Sequence, residues 1–128
     1  MTVTEQDKQV IQGMYAAMQA GESGKENLIG LFAADATFVE PFNGPPQTHR
    51  GIDAIRARVN EMVRQPRPPD FLLKVDQVTT ENGALVAYWT CTSDAMPGPM
   101  KGRDELKISD GRISFLKIEV TTMPGQPS

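Results

Sequence analysis

Histidine and cysteine each occur once among the 128 residues, and that scarcity removes whole classes of chemistry. Cys91 has no partner for an internal disulfide, and it stands in an alternating apolar segment where a buried, inert thiol is the usual outcome. His49 has no second histidine and Cys91 reads as buried and inert, so neither a zinc-type ligand set nor a Cys-His nucleophile is expected. Lys and Arg are nowhere gathered into a stripe. Thirteen basic against sixteen acidic residues leave a net charge of -3, and the pI is near 5.1. A nucleic acid is therefore not an expected partner. No apolar run approaches the roughly 20 residues needed to span a bilayer, and residues 1–9 lack a basic stretch followed by an apolar one, so no membrane insertion or export is expected. A reducing cytoplasm fits. Internal repeats are absent as well.

What the chain does have is a size and an apolar content sufficient for one core: 39% of its residues are hydrophobic. Residues 1–123 read as one domain and 124–128 as a loose tail. Val10, Ile11, Met14, Tyr15 and Met18 recur at helical spacing, with Thr4 as N-cap and Gly21 as stop. After a polar turn, Leu28, Ile29, Phe32 and Ala33 share a face of a second helix expected to end near Asp35. Residues 36–40 read as a short strand cut off by Pro41, and 42–50 as a Pro/Gly loop. Beyond Gly51, a third helix carries Ile52, Ile55, Val59, Met62 and Val63 on one side. Arg56 and Arg58 are expected on its solvated face.

Past Pro66, Pro68 and Pro69 the texture becomes strand-like. Segments 72–78 and 85–92 flank Asn82-Gly83, and 100–108 and 112–121 flank Asp110-Gly111, two hairpin signals. Helices first and strands second imply an α+β fold, with helices packed on one face of a curved antiparallel sheet.

Side chains two apart on a strand share a face, so Glu40 lies with Phe38, and Asp104 with Leu106 and Ile108. Both acids are candidates for an apolar setting, where desolvation raises a carboxyl pKa toward the range a general base or donating acid needs. The alternative for Glu40 is structural: capping a loop amide or pairing with Arg50. His49 reads as an exposed loop residue, and Trp89 beside Tyr88 as core or dimer contact.

Residues 31–46, Leu-Phe-Ala-Ala-Asp-Ala-Thr-Phe-Val-Glu-Pro-Phe-Asn-Gly-Pro-Pro, followed at 48–54 by Thr-His-Arg-Gly-Ile-Asp-Ala, resemble the SnoaL-like and ketosteroid isomerase branches of the nuclear transport factor 2-like superfamily. The resemblance implies a cone-shaped α+β barrel of three N-terminal helices on a curved, mainly antiparallel sheet. It further implies a homodimer through that sheet and a small hydrophobic ligand, with neither metal nor organic cofactor. It puts the general base at Glu40, immediately before Pro41, where an Asp is usual, and a neutral, hydrogen-bond-donating Asp at Asp104. The family's oxyanion tyrosine aligns with Met14. Tyr15, one residue on and rotated about 100° around the helix, is the available second donor, while Phe32 and Val59 occupy the approximate positions of supporting tyrosines. Met14, Met18, Phe38, Phe42, Val59, Val63, Leu106 and Leu116 are the expected pocket walls.

The implied activity is an isomerase-type proton shift next to a carbonyl of a steroid-like or polyketide-like substrate. A polyketide cyclase-like aldol reaction is the alternative, since both begin with an enolate. A non-catalytic ligand-binding or dimeric interaction domain of the same fold is the other reading. No Asp-Arg-Asp set suggests an epoxide hydrolase.

Overall fold

The computed structural model describes residues 3–125. Thr4 opens the first helix, α1 (Glu5–Ala20), with a capping box in which its hydroxyl accepts from the Asp7 N–H while the Asp7 carboxylate accepts from the Thr4 N–H. One stripe of α1 buries Val10, Ile11, Met14, Tyr15 and Ala17. A 3₁₀ turn (Gly21–Gly24) joins it to the short α2 (Lys25–Gly30), and α3 (Ile52–Arg64) follows later, burying Ile55 and Val59.

Six strands form one sheet: β1 (Phe32–Glu40), β2 (Gln47–Arg50), β3 (Leu72–Glu81), β4 (Ala84–Thr92), β5 (Met100–Ser109) and β6 (Arg112–Thr122), in the order β2-β1-β6-β5-β4-β3. All neighbouring pairs are antiparallel except β1 with β6. Register shifts interrupt β1/β6, β3/β4 and β5/β6, and bulges of this kind bend a sheet. The curved sheet closes on α1 and α3 as an α+β cone. Leu85, Ala87, Trp89, Cys91, Leu106 and Leu116 join Ile11, Met14, Ile55 and Val59 in one core. Both hairpin signals fold as hairpins: Asn82-Gly83 and Asp110-Gly111 take the positive φ angles, 52° and 80°, then 53° and 74°, that a tight two-residue turn requires.

Two segments differ in type from the sequence reading. The second helix stops at Gly30 instead of running to Asp35, because Phe32 pairs with Ile113 of β6 and the Ile113 N–H donates to the Leu31 carbonyl at 2.8 Å. Parallel pairing with a strand some eighty positions away captures a segment whose local periodicity also suited a helix. Within the expected 42–50 loop, residues 47–50 form β2 and pair with Thr37, Phe38, Val39 and Glu40. Of the expected 124–128 tail, residues 126–128 lie outside the described residues, and a Cβ on Gly125 would lie 3.6 Å from Pro97. Among the described residues no helix is long and apolar enough to cross a membrane.

Candidate active site

A cavity of about 520 Å³ opens between the sheet, α1 and α3, a size within the range of small-molecule sites. Its wall is predominantly apolar, with Phe32, Phe38, Val59, Leu73, Leu116 and Ile118 among its residues. Of the eight expected wall residues, Met18, Phe38, Phe42, Val59, Val63 and Leu116 line it, whereas Met14 and Leu106 are core residues behind the wall. Phe42 is 43% exposed, as are Glu61 and Gln65 to a large degree, so the mouth lies between the β1–β2 connection and the C-terminal half of α3.

At the closed end lies Asp104. The alternation of β5 turns it inward with Leu106, and only 1% of its surface is exposed. The Tyr15 hydroxyl donates to its Oδ2, and the Trp89 indole N–H donates to its Oδ1 at 3.0 Å. Burial pushes the Asp104 pKa up to about 7, against the two hydrogen bonds, which favour the charged form and hold it lower than burial alone would. Tyr15 moves in the same direction: burial, then the charge of Asp104 and the hydrogen bond to it, raise its hydroxyl well above the usual tyrosine value. Tyr15 thus reaches the site from one residue beyond Met14, where the resemblance puts the family's tyrosine. Its hydroxyl is engaged with Asp104.

Trp89, expected as core or dimer contact, is a core residue and also a polar partner of the site. It reaches Asp104 because its cross-strand neighbour is Gly102. A Cβ on Gly102 would sit 2.2 Å from Trp89 Cζ2 and 2.4 Å from the Glu119 carbonyl oxygen, so only a residue without a side chain lets the indole lie flat on β5.

Glu40 is also fully buried, yet its setting reverses the expected one. Arg58 donates to it twice, Nε to Oε2 at 2.8 Å and a terminal nitrogen to Oε1 at 3.2 Å. His49 Nε2 lies 2.8 Å from Oε2, and the Phe42 N–H donates to Oε1 at 2.8 Å. Burial opposes ionisation, but the bonds from Arg58, His49 and Phe42 outweigh it and set the Glu40 pKa below its ordinary value. Four donors therefore saturate the carboxylate, and it is not part of the cavity wall. The partner is Arg58, not Arg50. Arg58 was expected in solvent, but its side chain is only 12% exposed. It stands three residues after Ile55 and four before Met62, which places it on the apolar stripe, and that spacing was the available signal. His49 belongs to β2 opposite Phe38, whose ring it approaches at 5.8 Å between centroids, so it is a half-buried strand residue and not an exposed loop one.

A curved cone with a buried acid at its closed end and a mouth beside α3 is a SnoaL-like arrangement, and residues 11–116 match the model of the SnoaL-like domain. The chain belongs to that family. No curated protein matches its sequence. Among solved structures it is similar to a candidate ketosteroid isomerase from Kribbella flavida, 18% identical, with a TM-score of 0.70 over 100% of this chain and 87% of that one. It is similar as well to a candidate polyketide cyclase from Sinorhizobium meliloti, 18% identical, with a TM-score of 0.66 over 87% and 94% of the two chains. A nuclear transport factor 2-like protein of unknown function from an Exiguobacterium species is 21% identical, with a TM-score of 0.68 over 89% and 99%. At these identities the likeness establishes the fold.

Proposed function

We propose that this protein is an acid-base enzyme that moves a proton next to the carbonyl of a small hydrophobic substrate, with Asp104 as the proton-transfer group. The observation that supports it is one carboxyl: Asp104 lines an apolar cavity, is buried, and has a pKa of about 7. Such a group is part ionised and part protonated at neutral pH, so it can take a proton and give it back. Tyr15 and Trp89 hold its two oxygens and fix its orientation. The base role that the resemblance gave to Glu40 moves to Asp104, because a carboxylate with four donors and a depressed pKa is a poor proton acceptor. Isomerisation and aldol cyclisation share the enolate, and the isomerase is the reading we adopt.

A β,γ-unsaturated ketosteroid supplies the test, through the absorbance of the conjugated enone. Turnover that disappears in Asp104→Asn and survives, reduced, in Tyr15→Phe is the expected result. Turnover unaffected by Asp104→Asn would refute the assignment. The second reading, a ligand-binding domain without chemistry, is favoured by the saturation of Glu40 at the family's base position. It predicts a bound but unconverted ketone. We further propose that the protein is cytoplasmic and forms a homodimer through the sheet; light scattering on the purified chain measures whether it is a dimer.

A further inference from the structure

The cavity has a second polar pole that the acid-base reading leaves unused. Arg58 lines the wall with its side chain 12% exposed. Glu40, standing behind the wall, takes two of its N–H groups out of the five a guanidinium carries. Beyond that pair its one other ionic contact among the described residues is Glu61, at 3.5 Å, whose side chain is 62% exposed, and a solvent-facing partner of that kind contributes little. Glu40 thus acts as a clamp: a bidentate carboxylate fixes the guanidinium plane of a residue that lines the cavity, and solvent-facing Glu61 is the ionic partner on the remaining edge.

The charges on the wall point the same way. Apart from Asp104 they are Arg58, Arg67 and Glu61, two guanidiniums against one solvent-facing carboxylate. Arg67 is committed elsewhere, to the Met18 and Gln19 carbonyls at the end of α1 and to the face of Phe71, 4.3 Å from the ring centre. Arg58 is the cation held in place inside.

We propose that Arg58 is an oxyanion-binding residue, and that the ligand is a hydrophobic molecule carrying a carboxylate or equivalent anionic oxygen that takes the place of Glu61 on the guanidinium edge turned away from Glu40, while the apolar body fills the cavity toward Asp104. This rests on the acid-base reading for the chemistry at Asp104 and adds the class of substrate. A bidentate, charge-assisted contact in a mostly desolvated site discriminates strongly between an anion and its neutral isostere. The clamped geometry also spares the ligand the cost of ordering a long side chain.

Calorimetric titration of the wild-type chain with 2-naphthylacetate and with 2-naphthylacetamide tests this, at about pH 6, where the probe acid is ionised and Asp104 is mainly protonated. The carboxylate should bind at least about tenfold tighter than the amide. The preference should persist in about 0.5 M NaCl, which screens exposed charges far more than enclosed ones. The Arg58 Nε–H resonance should shift on adding the carboxylate. The double variant Glu40→Gln/Arg58→Gln removes both charges together and leaves neither buried alone; it should bind both probes equally. Equal affinity in the wild type would overturn the subsite while leaving the Asp104 assignment standing. A preference that salt abolishes, with the Arg58 resonance unmoved, would assign the anion to exposed Arg67 and overturn the proposal too. Failure of both probes to bind would overturn the cavity as a ligand site, and the acid-base reading with it.

Discussion

Replacing Asp104 by asparagine should change how stability depends on pH, in a direction and by an amount the site dictates. In the folded chain the carboxyl has a pKa of about 7, raised from 3.8. Between those values the folded state holds a proton that the unfolded state has released, so the wild type loses stability as pH rises through that window. About three pH units at about 1.4 kcal/mol per unit give a loss on the order of 4 kcal/mol, complete above about pH 8. The substituted amide cannot titrate. Nor can it accept from both Tyr15 and Trp89, which imposes a fixed cost, but that cost is the same at every pH. The depressed pKa of Glu40 contributes stability above the unfolded carboxyl value that is lost as pH falls through the folded one, and it cancels in the comparison because both proteins retain it. Urea unfolding of the two proteins from about pH 4 to 8 should therefore show Asp104→Asn gaining on the wild type by several kcal/mol across the series. A difference that stays constant with pH would show that Asp104 is not a raised carboxyl, and the proton-transfer argument would fail with it.

Other perturbations follow from the same geometry. Trp89→Phe removes a donor that favours the ionised carboxylate, so the Asp104 pKa should rise further, measurable from its carboxyl carbon resonance. Gly102→Ala drives a methyl into the indole and the Glu119 carbonyl; it should destabilise by about 2 kcal/mol or more and shift the fluorescence of Trp89, the sole tryptophan. Glu40→Gln leaves Arg58 with a neutral partner in an enclosed setting, a change that costs about 3 kcal/mol, whereas Glu40→Gln/Arg58→Gln should recover part of that loss in the same denaturation assay.

The architecture was legible wherever local signals and tertiary demands agreed. The stripes on α1 and α3, the Thr4 cap and the two turn dipeptides each fix a local conformation that the fold then uses unchanged. Asp104 was legible from its place on a strand and Tyr15 as a donor from the family resemblance, and the structure brings them into contact. What could not be read depended on partners distant in sequence. The start of β1 is decided by β6, and β2 exists through its pairing with β1. Arg58 shows the same limit in a side chain: a guanidinium on an apolar stripe is costly until a carboxylate meets it, and Glu40 lies on a different element eighteen positions away. Trp89 was legible as core, but its hydrogen bond to Asp104 was not, because that contact depends on an absence at its cross-strand neighbour.

That absence has an evolutionary side. Gly102 carries no chemistry, yet the approach of Trp89 to Asp104 passes over the space its missing side chain leaves. A descendant of this chain could keep the acid, the tyrosine and the tryptophan and still separate them by one substitution at position 102. Drift between a poised carboxyl and a merely buried one therefore has a gate at a position without a functional group. Comparisons that follow only the reactive residues would count the site as intact on both sides of it.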